Sequence, residues 1–303
     1  MDLKRKYNNS SKSNFKKRKF DERFLHLLEN GIDCDCEFVV GVQSIVIRGH
    51  SFLFSAASEV FHAMFYGDFK KEKSVEVKDL DPEGFEGMKK FIYTGEIEFE
   101  SALQALSVYI AARKYMISSL SQQCVNFITE DNTIQPSEVL EFDEICRAHN
   151  IPEFEKTCYK IIQQKTDKII ESEFFVSAAP ETIELILRSP SLRLDSEIDV
   201  LHLFEKWVMA KAERKGIAIG KIMATKTINN LKKHIRFLTI SSDKFVSDVA
   251  DSPILTSKEK IAIACNLKDS DLKPLPESVS LERQLRNFIF KSKQKKKFVY
   301  NYI

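Results

Sequence analysis

The chain is poor in the residues that most enzymes use to hold phosphates and cofactors. Nine glycines in 303 residues leave little material for phosphate-cradling loops, and neither G-x-x-x-x-G-K-[ST] nor G-x-G-x-x-G occurs. The G-x-S-x-G and H-E-x-x-H patterns are missing as well. No run reaches the roughly 18 apolar residues of a membrane span, and the basic, polar N-terminus does not read as a secretory leader. The six cysteines (Cys34, Cys36, Cys124, Cys146, Cys158 and Cys265) lie mostly in apolar runs. Cys34 and Cys36 share one extended stretch and are not placed to close an ordinary disulfide; a reducing compartment fits them. Neither Cys34-x-Cys36 nor Cys146 with His149 has the second ligand pair a structural zinc site requires. These gaps predict a non-catalytic chain without metal or cofactor.

What is present is ordinary core material, including 23 Phe at 43% hydrophobic content, and a marked charge asymmetry. Residues 1–20 carry eight Lys and Arg against Asp2, and residues 291–303 carry five Lys and no acid. With a net charge of +2 for the whole, the body between these ends is acidic. A nucleic-acid contact is therefore confined to the tails, where it would be nonspecific and salt-sensitive.

Along the chain, residues 1–20 read as a disordered basic tail. Residues 21–130 alternate strand-like and helix-like runs. The stretch 21–31 predicts a short amphipathic helix. Cys36, Phe38 and Val40 alternate on one strand face, and a second strand over 44–48 follows a tight link at Val42-Gln43. Asp81-Pro82 predicts a capped helix start, with Phe85, Met88, Phe91 and Ile92 on one face and a stop at Gly95. Ser101 and Gln104 have capping-box spacing. From 131 to 265 the pattern becomes an array of helices, several opened by proline, at Pro136, Pro152 (running on to Ile169) and Pro180. Residues 266–303 turn polar and then basic, and read as a tail.

Several pieces together resemble a known family. Asp35, Phe38 and Gly41 fit the opening D-x-x-F-x-V-G of a BTB/POZ domain, and His50 follows the second strand as it does there. Ser55, Ala57, Ser58, Phe61 and Met64-Phe65 fit its helical signature, and Tyr93-Thr94-Gly95 its Y-T-G. Phe174, the run 191–197, Phe204, Trp207 and His234–Phe237 resemble the BACK domain that often follows. The resemblance implies an α+β BTB/POZ domain, a small sheet flanked by helices, and then an all-α BACK domain. It also implies a homodimeric adaptor that recruits a cullin scaffold and delivers a protein substrate for ubiquitination. Family members that continue into a C-terminal β-sandwich need more residues than follow 265 here.

Carried onto this chain, the resemblance places Phe61, Met64, Phe65, Phe69 and Glu72 on a cullin-facing surface. Its hydrophobic-x-Glu motif aligns with Phe69-Lys70-Lys71, which sets Lys71 where Glu is expected and Glu72 one residue late. It places Phe24, Leu25, Leu28, Asp35 and His50 at or near the dimer interface, with Arg48 the nearest cation by sequence for a buried Asp35. Lys4, Arg5 and Lys6 with Lys16, Lys17, Arg18 and Lys19 have the spacing of a bipartite nuclear-import signal. The expected location is cytoplasmic, and the alternative function is a nuclear, corepressor-recruiting regulator. A dimeric scaffold that has lost cullin binding is a third reading.

Overall fold

The computed structural model describes residues 20–67, 74–269 and 273–289, and the chain divides into two compact units, 1–133 and 134–303. The first unit runs α1 (Phe20–Asn30), β1 (Cys36–Val40), β2 (Ile45–Gly49), α2 (Ser51–Ala57), α3 (Glu59–Tyr66), β3 (Ser74–Val77), α4 (Pro82–Thr94), α5 (Ala102–Lys114) and α6 (Ser118–Thr129). Its three strands are ordered β2-β1-β3, with β1 antiparallel to β2 and parallel to β3. The period of two in β1 buries Cys36, Phe38 and Val40.

Phe38 is the hub of this core. Its ring lies 4.8 Å from Phe85, 5.0 Å from Phe54, 5.6 Å from Phe61 and 6.0 Å from Phe65, while Phe61 stacks on Tyr115 at 4.0 Å. The β1–β2 link is a four-residue turn, not the two-residue one expected at Val42-Gln43. Gly41 and Ser44 take the positive φ values (72° and 55°), and the Ser44 N–H donates to the Gly41 carbonyl at 3.1 Å. A two-residue hairpin turn of the favoured type needs left-handed backbone at both central positions, which β-branched Val42 resists.

Asp81 caps α4 by accepting from the Glu83 and Gly84 N–H groups, Pro82 opens it, and Gly95 closes it in the left-handed conformation. Gly84 lets α4 lie directly on α5, because a Cβ there would stand 2.5 Å from the Ser107 carbonyl oxygen. Helix α5 is accordingly buried on most sides, through Ala102, Ala105, Leu106, Val108, Tyr109, Ala111 and Ala112.

The second unit is helical: α7 (Val139–Ala148), α8 (Glu155–Gln164), α9 (Thr166–Ile169), α10 (Pro180–Arg188), β4 (Ser191–Leu192), α11 (Glu197–Lys215), α12 (Ile219–Met223), α13 (Lys226–Lys232), α14 (Ser242–Lys244), α15 (Ser257–Lys268) and β5 (Asn287–Phe288). The helix expected from Pro152 through Ile169 breaks at Lys165 (φ −133°, ψ 21°). Thr166 there turns its hydroxyl back to the Ile162 carbonyl at 2.7 Å and accepts from the Arg193 N–H at 3.2 Å. Helix α11 carries Phe204 and Trp207 into the core, and the indole N–H reaches the Ala178 carbonyl at 2.9 Å.

The largest departure from the sequence reading is at the C-terminal end. Residues 273–289 are not a free tail. β5 pairs in parallel with β4, and Arg286 is buried with its guanidinium on Glu197 (Nε to Oε2 3.1 Å, Nη2 to Oε1 3.2 Å), on the His234 carbonyl at 3.1 Å and on the Ser189 carbonyl. A second buried pair joins Lys232 to Glu259 at 2.6 Å, and Ser278 donates to the same carboxylate. Polar composition suggested a tail because the partners of Arg286 and Ser278 lie 19 to 97 residues away.

Candidate protein-interaction surface

Helices α2 and α3 sit between the sheet and solvent, and their anchoring is local and polar. Ser58 caps α3 by accepting from the Val60 and Phe61 N–H groups and donates to the Tyr115 carbonyl at 2.6 Å. At the start of α2, the Asp35 carboxylate accepts from the Ser51 N–H and hydroxyl, both at 2.7 Å. Burial pushes the Asp35 carboxyl up, but these two Ser51 donors outweigh it and hold it below the ordinary value. Asp35 is therefore an exposed capping residue and not the buried acid expected. Its predicted cation, Arg48, pairs with Glu37 at 3.7 Å instead, because the two face each other across β1 and β2.

His50 is half-buried and closes a second link. Its Nε2 lies 2.8 Å from the Ile32 carbonyl, and its Nδ1 lies 2.7 Å from the Tyr93 hydroxyl, which also accepts from the His50 N–H at 2.9 Å. A carbonyl only accepts, so Nε2 carries the proton; in the neutral ring the Tyr93 hydroxyl then donates to Nδ1. Burial drives the Tyr93 phenol well above its usual range, consistent with a hydroxyl that keeps its proton. His50 and Tyr93 thus tie the loop after α1 to the end of α4.

The five residues assigned to a cullin-facing surface divide three ways. Phe61 and Phe65 are buried in the aromatic core, so their side chains hold α3 in place and do not themselves meet a partner. This corrects their assignment: the i, i+4 pair marks the inner face of α3. Met64 is half-buried, and the outer face presents His62, Ala63 and Tyr66. Phe69 and Glu72, with Lys70 and Lys71, lie outside the described residues.

Of the dimer candidates, Phe24 and Leu28 are half-buried on α1, and the side chain of Leu25 lies outside the described residues. On α2, Phe52 is 70% exposed, with Ala56 and Ala57 also at the surface. Val42, Ile45 and Val46 add exposed apolar area at the β2 edge of the sheet. The resemblance puts dimer contacts on the helix near His50–Ala57 without singling out Phe52, whose signal is its place outside the Phe54, Phe61 and Phe65 spacing. The import candidates Lys4, Arg5, Lys6, Lys16, Lys17, Arg18 and Lys19 fall outside the described residues.

Among the described residues, no group of three or more His, Cys, Asp or Glu side chains is arranged to hold a metal ion, and no helix is long and apolar enough to cross a membrane. Burial pushes the Cys36, Cys124 and Cys146 thiols up to about 12, so none of these is a thiolate nucleophile near neutral pH.

A small sheet covered by helices, followed by a helical unit and offering exposed apolar helix faces, defines a protein-interaction module. The BTB/POZ domain model matches residues 24–132, and the BACK (BTB And C-terminal Kelch) model matches residues 139–250. The chain belongs to the BTB/POZ domain-containing proteins whose BTB domain is followed by a BACK domain. It is 30% identical over 241 residues to BTB/POZ domain-containing protein 3 of Homo sapiens, a match covering 78% of this chain and 45% of that protein. It is 26% identical over 245 residues to BTB/POZ domain-containing protein 6 of Xenopus tropicalis, covering 80% and 46%. The chain thus spans about half the length of the curated relatives it matches.

Proposed function

We propose that this chain is a non-catalytic homodimeric adaptor, self-associating through its BTB domain and presenting α3 to a cullin scaffold while it holds a protein substrate for ubiquitination. The observation that carries self-association is the exposed apolar surface of α2, where Phe52 is 70% open to solvent. At 70% exposure, Phe52 has on the order of 100–175 Å² left to bury on docking, a useful part of the roughly 800 Å² each partner contributes to a stable interface. Scaffold recruitment rests on family membership and on the outer face of α3, where His62, Ala63 and Tyr66 are exposed beside half-buried Met64.

The test is a pulldown of the full chain with a cullin N-terminal region, beside Ala63→Glu and Tyr66→Ala variants. Binding by the wild type that both variants lose supports the reading. Absence of binding at micromolar concentration favours a scaffold without cullin affinity. The nuclear reading is carried by the two basic clusters within residues 1–20. Deleting that segment moves a nuclear regulator to the cytoplasm and leaves the distribution of a cytoplasmic adaptor unchanged.

A further inference from the structure

The second unit carries a run of cations that its own ion pairs do not use. Residues 214–242 hold seven Lys and Arg and no Asp or Glu, within a body that is acidic as a whole. Two of the seven are engaged inside the fold. Lys232 is buried on Glu259, and half-buried Arg236 donates to the Gln284 carbonyl at 2.9 Å. The other five, Arg214, Lys215, Lys221, Lys226 and Lys233, are exposed, and half-buried Lys211 stands just before them. Among the described residues none of these six is in an ion pair.

Their spacing groups them. Lys211 and Lys215 are four residues apart and share one stripe of α11. Lys226 opens α13 and Lys233 caps it in helical conformation, so these two, seven residues apart, share a stripe about 10 Å long. Helix α12, which carries Lys221, packs on both α11 and α13. Like charges crowd the end of α11. The Lys211 ammonium lies 4.5 Å over the Trp207 ring; burial lowers it, and Lys215 and Arg214 lower it further against the pull of Glu181. Arg214 donates to the Val176 carbonyl, a neutral acceptor that leaves its charge unbalanced. Arg214 and Lys215 do complement the C-terminal end of α11, but Lys226 sits at the start of α13, where helix dipoles oppose a cation. Helix stabilisation therefore does not account for the set. Ile217, 38% exposed, adds an apolar side chain between Lys215 and Lys221.

We propose that the end of α11 with α12 and α13 forms a docking surface for an extended acidic segment of a partner protein, its carboxylates set against these cations and an apolar side chain against Ile217. Complementary charge steers such a segment in and selects against basic ones. A nucleic acid fits less well. Residues 208–236 contain no Phe, Tyr or Trp on which a base could stack, and a long polyanion running past the surface meets the acidic remainder of the body. In the proposed adaptor the surface holds the protein to be delivered; that role rests on the adaptor reading, whereas the binding itself does not.

The test is fluorescence polarisation of the full chain with a labelled peptide of Glu residues around a central Leu, beside its Gln counterpart and a short DNA duplex. No cullin is present, so the outcome is separate from scaffold recruitment. The basic ends of the chain are the same in wild type and variants. Docking predicts that Lys221→Glu/Lys226→Glu/Lys233→Glu weakens binding of the Glu peptide roughly tenfold or more, the scale of three exposed ion pairs lost. The milder Lys221→Gln/Lys226→Gln/Lys233→Gln variant should weaken it in the same direction by less. With benzoylphenylalanine in place of the Leu, irradiation should mark peptides within residues 209–236. Affinity unchanged in both variants, a Gln peptide bound as tightly, or adducts only in residues 1–20 and 291–303 would overturn the proposal. So would a DNA duplex that binds more tightly than the peptide and loses affinity with the same substitutions.

Discussion

Arg286 shows how much a single residue can hold in this fold. Its guanidinium joins β5 to the first turn of α11 and to the backbone after α10 and α13. Removing it leaves the Glu197 carboxylate buried with a single backbone donor, the Arg236 N–H. Breaking a buried pair from one side costs about 3–5 kcal/mol. Arg286→Ala should therefore lower the denaturation midpoint of the second unit strongly, whereas Arg283→Ala, at an exposed neighbour, should change it little. Urea melts of both variants check this.

Two further residues push the unit's stability the same way with pH, against Asp143, whose carboxyl is raised by burial. Burial raises the Glu259 carboxyl, but Lys232, Ser278 and the Thr256 N–H more than offset it and leave it below 4.5. Burial lowers His234 below 6.5; the nearby Glu184 opposes this, while Arg188 and Arg286 reinforce it. The 3.2 Å contact with Glu184 is thus better read as a neutral imidazole N–H donating to a carboxylate than as an ion pair. Both groups bind protons less readily folded than unfolded, so their contribution to stability is complete above about pH 6.5. It declines first as His234 is forced to protonate and again below about pH 4.5. His234→Gln and Glu259→Gln should each reduce the fall in melting temperature between pH 7 and pH 4 relative to the wild type, and a fall unchanged in both variants would contradict the assignments.

At the scale of elements, sequence reading worked where the signal is local. The alternation of Cys36, Phe38 and Val40 marked β1, and Asp81-Pro82 with Gly95 bounded α4. It failed where a residue's role depends on what comes back from far along the chain. Phe61 and Phe65 carry a family signature, yet spacing does not say whether four-residue periodicity faces the core or a partner; the Phe38 ring decides it. Asp35 found Ser51 and not Arg48 because β1–β2 pairing sets Arg48 opposite Glu37. β5, two residues long, has no pattern of its own. The close approach of α4 to α5 was likewise invisible, and it yields a prediction. Gly84→Ala puts a methyl group against the Ser107 backbone, which must move the helices apart. The cost should be at least the roughly 1–3 kcal/mol of an overpacked core. Ala at Gly220, with nothing within 4 Å, should be neutral or stabilising, and thermal melts of the pair separate the two.

At the scale of the whole molecule, the chain forms two compact units, the first with exposed apolar side chains on α2 and the β2 edge, and among the described residues there is no metal-binding cluster. The chain belongs to a family of interaction proteins, and its proposed work is to bring proteins together. Self-association is the step on which the rest depends, since two copies offer a multivalent target two sites at high effective concentration. The most direct measurement is the solution mass of the purified full chain by light scattering at micromolar concentration, alongside Phe52→Glu. The account predicts about twice the 35.0 kDa chain mass for the wild type, and a shift to the single-chain mass for the variant with its fold retained by circular dichroism. A wild-type mass of one chain across the micromolar range would contradict it.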